Sequence, residues 1–158
     1  MRYRQKDEDD LSKRYKDLEF RYGADHPATL DTGSRLVQVY ICQGRFRSAE
    51  ALCKQIALAW LVTVGGNDVK TLQEFESLVL IFLNLGQYQL AESLCRQIYT
   101  EAQSLMAATD RVLLGFELSL AKCYCFNDAI SEAEALYRKI LRIGGQCLPP
   151  DDLLLIET

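Results

Sequence analysis

The strongest constraint on this chain is a phrase that it repeats. Gly44-Arg-Phe-Arg-Ser-Ala-Glu-Ala-Leu-Cys-Lys-Gln-Ile56 returns 42 residues on as Gly86-Gln-Tyr-Gln-Leu-Ala-Glu-Ser-Leu-Cys-Arg-Gln-Ile98. A worn third copy, Asp128-Ala-Ile-Ser-Glu-Ala-Glu-Ala-Leu-Tyr-Arg-Lys-Ile140, follows at the same interval. A fixed period of this size predicts stacked supersecondary units, each too small to bury its apolar face alone.

Helical periodicity fills in the unit. Leu11, Tyr15, Leu18 and Tyr22 form one apolar stripe on an otherwise charged opening helix, and Gly23 ends it. Asp25-His26-Pro27 starts a helix A over Pro27 to Cys42, with Leu30, Leu36, Val37 and Tyr40 on one face. A turn at Gly44 leads to a helix B from Phe46 to Val64, with Ala49, Leu52, Cys53, Ile56 and Trp60 inward. The second unit reads as Val69 to Leu85, Gly86, and Tyr88 to about Ala107. The third is capped by Asp110, runs to Phe126, turns at Asn127-Asp128 and continues from about Ala129 to Ile143, where Gly144-Gly145 stops it. Pro150-Asp-Asp-Leu153 repeats the spacing of Pro27-Ala-Thr-Leu30 and opens a fourth helix A. The organisation is a partial helix B or cap (1–22), repeats over 23–64, 65–106 and, degenerate, 107–145, then a partial helix A or cap (146–158). Both ends read as half-units, which favours a segment of a longer array.

Composition narrows the function. A net charge of -4, from 18 basic and 22 acidic residues, leaves no basic field for phosphate neutralisation, which argues against a nucleic-acid partner. The stretch from Met1 to Asp10 is too charged for a secretory leader, and the apolar run Leu78 to Leu85 is too short to span a bilayer, so no membrane partner is expected. The six cysteines read as buried structural thiols. Cys53 and Cys95 occupy equivalent amphipathic positions, and Cys123 and Cys125 point apart on one helix, so neither a disulfide nor a metal site is expected. Free thiols suit a reducing compartment, the cytoplasm or the nucleus.

No catalytic constellation emerges. His26, the only histidine, stands at a helix start beside a proline, where capping outweighs acid-base work. Gly65-Gly66 and Gly144-Gly145 lack the Lys-Ser/Thr of a phosphate loop. The expectation is a non-enzyme without catalytic residues, cofactor or metal.

Gly23-Ala-Asp-His-Pro-Ala-Thr-Leu30, followed by Leu36-Val-Gln-Val-Tyr40 and the Ala-Glu-Ala-Leu of helix B, resembles the tetratricopeptide repeat of the kinesin-light-chain type. Such repeats are also similar to those at the C-terminal ends of fungal and bacterial NACHT or NB-ARC ATPases. The resemblance covers roughly Gly23 to Ile143 and implies an all-α, right-handed α-α superhelix of antiparallel helix pairs. His26-Pro27 becomes Asp68-Val69 and then Asp110-Arg111, a divergence that argues against carrying over motor-cargo function.

In proteins of that type helix A lines the inner, concave face. The resemblance therefore implies a partner-binding groove at Ser34, Gln38 and Ile41, at Glu76, Leu80 and Leu83, and at Leu118, Lys122 and Cys125. Apolar anchors among polar register-setters suit a peptide or an amphipathic helix. For Leu80, Leu83 and Leu118 simple burial is an equal alternative. Only Lys122 is basic, which argues against a clamp for a terminal carboxylate. The leading expectation is a protein-interaction module. The alternative is a sensor or structural segment of a larger nucleotide-hydrolysing switch that contacts its own neighbouring domain. Self-association through the terminal half-repeats is a further reading.

Overall fold

The computed structural model describes residues 5–66, 68–105, 107, 110–149 and 152. These residues form seven α-helices and no strand: α1 (Gln5–Tyr22), α2 (Pro27–Cys42), α3 (Phe46–Thr63), α4 (Val69–Asn84), α5 (Tyr88–Leu105), α6 (Arg111–Phe126) and α7 (Ile130–Cys147). The chain divides into two compact units, Met1–Leu85 and Gly86–Thr158. In the first, α2 packs on α1, α3 and α4, and α3 also packs on α4; in the second, α6 packs on α5 and α7. The sequence Pro150 to Thr158, expected to open a fourth helix A, lies outside the described residues except for Asp152.

The repeated phrase has a backbone cause. Gly44 and Gly86 turn the chain at φ +71° and +73°, a left-handed geometry that costs ordinary residues energy. The third copy makes the same turn with Asp128 at φ +60°, since aspartate tolerates this region better than most side chains.

Each helix A also starts by a shared device. His26 Nδ1 accepts a hydrogen bond from the Ala28 amide at 3.2 Å. Asp68 Oδ1 accepts from Lys70 at 2.9 Å, and Asp110 Oδ1 from Val112 at 2.8 Å. A histidine and two aspartates thus fill one N-cap role, satisfying an amide that the first helical turn leaves unpaired. The buried Thr29 hydroxyl donates to the Gly23 carbonyl at 2.9 Å, and 42 residues on Thr71 does the same to Gly65 at 2.8 Å. In the third unit Leu113, an apolar core residue, takes the threonine position and this tie is gone.

In the first unit Leu30, Ile56 and Trp60 form a core backed by Tyr15, Leu52 and Ala59. Here α1, α2 and α3 meet at Gly33, where an added Cβ would lie 2.5 Å from Ile56 Cδ1 and 2.9 Å from Tyr15 Cε2. In the second unit Leu114, Leu118 and Ile140 pack with Tyr137, Ile143 and Leu148. Cys53 and Cys95 are buried, and their thiols lie 3.4 Å from the Glu74 carbonyl and 3.5 Å from the Phe116 carbonyl. Cys123 is buried as well, but Cys42, Cys125 and Cys147 are exposed, so structural burial accounts for only three of the six thiols.

One helix boundary differs from the sequence reading. Helix α7 runs through Gly144-Gly145 to Cys147, because a helical glycine costs only about 1 kcal/mol and does not stop a well-packed helix. The terminator is Pro149, which holds Leu148 extended at φ -105°, ψ 152°.

Helix α1 keeps the helix-B register. Its buried Glu8 accepts hydrogen bonds from Gln43 and Arg45, as Glu92 on α5 accepts one from Asn127. Where α3, α5 and α7 bury Ala49, Ala91 and Ala133, however, α1 carries exposed Asp7, and where they bury Ile56, Ile98 and Ile140 it carries exposed Arg14. Ile56 and Ile140 pack on their own helix A. The face that α1 turns in that direction is charged.

Candidate interaction surface

Helices α2 and α4 lie side by side in the first unit. Lys70 Nζ pairs with Asp31 Oδ1 at 2.7 Å, and Gln38 Nε2 donates to Ser77 Oγ at 2.9 Å. Between them runs an open depression of about 320 Å³ whose lining includes Ser34, Gln38, Gln73, Glu74, Glu76 and Ser77. Three of the expected groove residues, Ser34, Gln38 and Glu76, thus come together. Ile41 is half-buried and Leu80 is 42% exposed on the same two helices, but neither lines the depression. Leu83 is buried. On α6, Leu118 belongs to the core, Lys122 is half-buried and Cys125 is exposed, with its thiol 3.8 Å from the Tyr137 hydroxyl. Burial and then that thiol push the Tyr137 phenol up to about 12.

Sequence reasoning missed Gln73, Glu74 and Ser77 because it compared positions 42 apart. Across the α2–α4 boundary the partners are 39 apart, as Asp31 with Lys70 and Gln38 with Ser77 show. A search for complementary polar residues at that interval was the signal available.

The floor of the depression has a distinct character. Glu74 is buried, and desolvation raises its carboxyl above the usual range against the lowering effect of hydrogen bonds from Ser34 and Cys53. Burial, followed by the Glu74 carboxylate, pushes the Cys53 thiol well up, which makes it inert as a nucleophile. The surface offers amide, hydroxyl and carboxylate groups and the Arg35 guanidinium, all able to hydrogen-bond an extended backbone. Among the described residues no group of three or more His, Cys, Asp or Glu is placed to hold a metal ion. No described helix is long and apolar enough to cross a membrane.

No known family model matches the chain, and no curated protein matches it. Solved structures do. A single-substitution form of a kinesin-light-chain candidate from Podosopora anserina, with nearly identical TPR-like repeats, superposes with a TM-score of 0.82 over 97% of this chain and 73% of its own, at 20% identity.

The chain has the tetratricopeptide-like fold of kinesin-light-chain-type repeats.

A second structure of that Podosopora anserina protein matches with a TM-score of 0.79 at 20% identity, covering 91% of this chain and 68% of its own. BtubC (BKLC) from P. vanneervenii matches with a TM-score of 0.80 at 14% identity, over 89% of this chain and 56% of its own. In this tetratricopeptide-like frame α2, α4 and α6 are the A helices and α1, α3, α5 and α7 the B helices, the assignment that the repeated phrase predicts.

Proposed function

We propose that the chain is a non-enzymatic interaction module that binds a peptide or helical segment of a partner protein on its A-helix faces. The observation that carries this reading is the α2–α4 depression, where Ser34, Gln38 and Glu76 meet Gln73 and Ser77 at positions the repeat does not hold constant. Repeated positions such as Ala49, Cys53 and Ile56 are buried and serve packing. The varied ones face the depression, which is where specificity is expected in a repeat protein. In this reading Gln38 and Glu76 fix the register of a bound backbone, and Ile41 and Leu80 extend the surface with apolar contacts. On α6, Lys122 and Cys125 are the accessible candidates, and Leu83 and Leu118 act through packing. Six free thiols support a reducing setting, the cytoplasm or the nucleus.

An immobilised array of overlapping peptides, probed with the labelled chain, tests the reading. Binders that lose about tenfold in affinity on Gln38→Ala or Glu76→Ala are the expected result. Binders indifferent to both substitutions would remove the depression from the account.

A further inference from the structure

The chain carries an internal control that singles out a second surface. On α5 and α7, the positions that correspond to Leu58 and Val62 of α3 hold exposed polar residues: Thr100 and Ser104, then Arg142 and Gln146. The fold therefore does not require apolar side chains there. On α3 both are apolar, one turn apart and open to solvent, with Leu58 60% and Val62 85% exposed. The position equivalent to Val62 on α1 holds Phe20, 91% exposed. Large apolar side chains concentrated where the scaffold elsewhere places polar ones mark a contact surface.

Leu58 and Val62 form one wall of a groove of about 440 Å³. Its lining also includes Leu30 and Ile56 of the core, and Tyr15 from α1. Two carboxylates, Glu19 and Asp25, line the same groove. Neither has a hydrogen bond or ion pair from its side chain among the described residues. An apolar trough with two uncompensated negative charges selects a partner of matching chemistry.

We propose that this α1–α3 groove docks an amphipathic helix of a partner protein that presents apolar side chains one turn apart, flanked by lysine or arginine. The site is lined by α1, the turn that follows it, Leu30 of α2, and α3, and it shares no lining residue with the α2–α4 depression. The apolar side chains pack on Leu58, Val62 and the groove floor, and the cationic flanks meet Glu19 and Asp25. The apolar contacts carry the affinity, and the charges select the partner.

The test uses the whole chain and two synthetic helical peptides, one with leucines one turn apart flanked by lysines, and a twin with glutamates in place of the lysines, read by fluorescence anisotropy. The lysine peptide is expected to bind and the glutamate twin to bind at least about tenfold more weakly. Leu58→Thr with Val62→Ser, which copies the chain's own α5, should keep the helical circular dichroism and lower the lysine peptide's affinity about tenfold or more. Glu19→Lys with Asp25→Lys should reverse the peptide preference. Gln38→Ala should leave it unchanged, which separates this site from the one proposed above. The proposal is overturned if the lysine peptide does not bind or binds the Leu58/Val62 variant equally well. It is also overturned if the glutamate twin binds as tightly. Val62-dependent binding to anionic vesicles, or Val62-dependent self-association in light scattering, would identify a lipid surface or a second copy as the occupant and overturn it too.

Discussion

The Lys139 ammonium lies 2.5 Å from the carboxylate of Glu117, a residue with no solvent exposure. The same carboxylate oxygen accepts the Tyr99 hydroxyl at 2.7 Å, and Gln103 donates to Tyr99 at 2.6 Å. This cluster ties α5, α6 and α7 together around a charge that water does not reach.

Lys139→Met leaves that charge without its cation. Breaking a buried pair costs about 3–5 kcal/mol, and the lower end applies because Lys139 is about a third exposed. Urea unfolding at neutral pH should show a loss of about 3 kcal/mol.

The alkaline side gives a second reading of the cluster. Burial pulls the Lys139 ammonium down, but hydrogen bonds and charge from Glu117 and Tyr99 outweigh it and leave the ammonium above its ordinary value. A raised value stabilises the fold fully below the ordinary lysine range of about 10.4 and loses that contribution as pH climbs through the folded value. Desolvation, then Glu117, raises the Tyr99 phenol in the same sense. The denaturation midpoint of the parent should therefore fall above pH ~10, and Lys139→Met should flatten that fall.

The turn residues offer a paired test. Gly86 and Asp128 occupy equivalent left-handed turns, at φ +73° and +60°. Gly86→Ala should destabilise the chain by about 1 kcal/mol or more, and Asp128→Gly should be neutral or stabilising by up to about 1 kcal/mol. Thermal unfolding of the two variants decides the matter, and equal shifts would remove φ as the reason for the repeated glycine.

Gly33→Ala sets two effects against each other. Alanine improves helix propensity by about 1 kcal/mol, yet its Cβ would fall 2.5 Å from Ile56 and 2.9 Å from the Tyr15 ring. Overpacking costs about 1–3 kcal/mol and should win, because the Tyr15 ring side cannot fold away as a chain end can. A stabilised variant would show that α1 yields readily at this point.

The charged face of α1 predicts its own failure. Replacing Asp7 with Ala and Arg14 with Ile restores the residues that α3 buries against its helix A. Concentration-dependent association in light scattering is expected of the double variant and not of the parent. A monomeric double variant would show that Asp7 and Arg14 are not what keeps this face apart.

Legibility followed the strength of the local constraint. Helices α2 to α6 agree with the sequence reading within about two residues at each end, the margin at which helix ends fray. Turns at Gly44, Gly86 and Asp128 were readable because a left-handed backbone limits the choice of residue. Gly144-Gly145 misled because glycine permits a stop without imposing one, whereas the imide of Pro149 imposes it. Leu83 and Leu118 were ambiguous because an A helix is packed on more than one side, and periodicity alone does not separate its buried faces. Leu58, Val62 and Phe20 carry no signal in the agreement between copies, because their signal lies in where the copies differ.

The ties between helices are short in sequence. Arg45 reaches Glu8 across 37 positions, Lys70 reaches Asp31 across 39, and Lys139 reaches Tyr99 across 40. Each joins partners no further apart than one repeat period. Little loop-closure entropy stands between the nascent chain and its native contacts, so each hairpin can form as it leaves the ribosome. The same locality lets a gene of this kind gain or lose whole units by recombination, since a new unit has only its neighbours to satisfy.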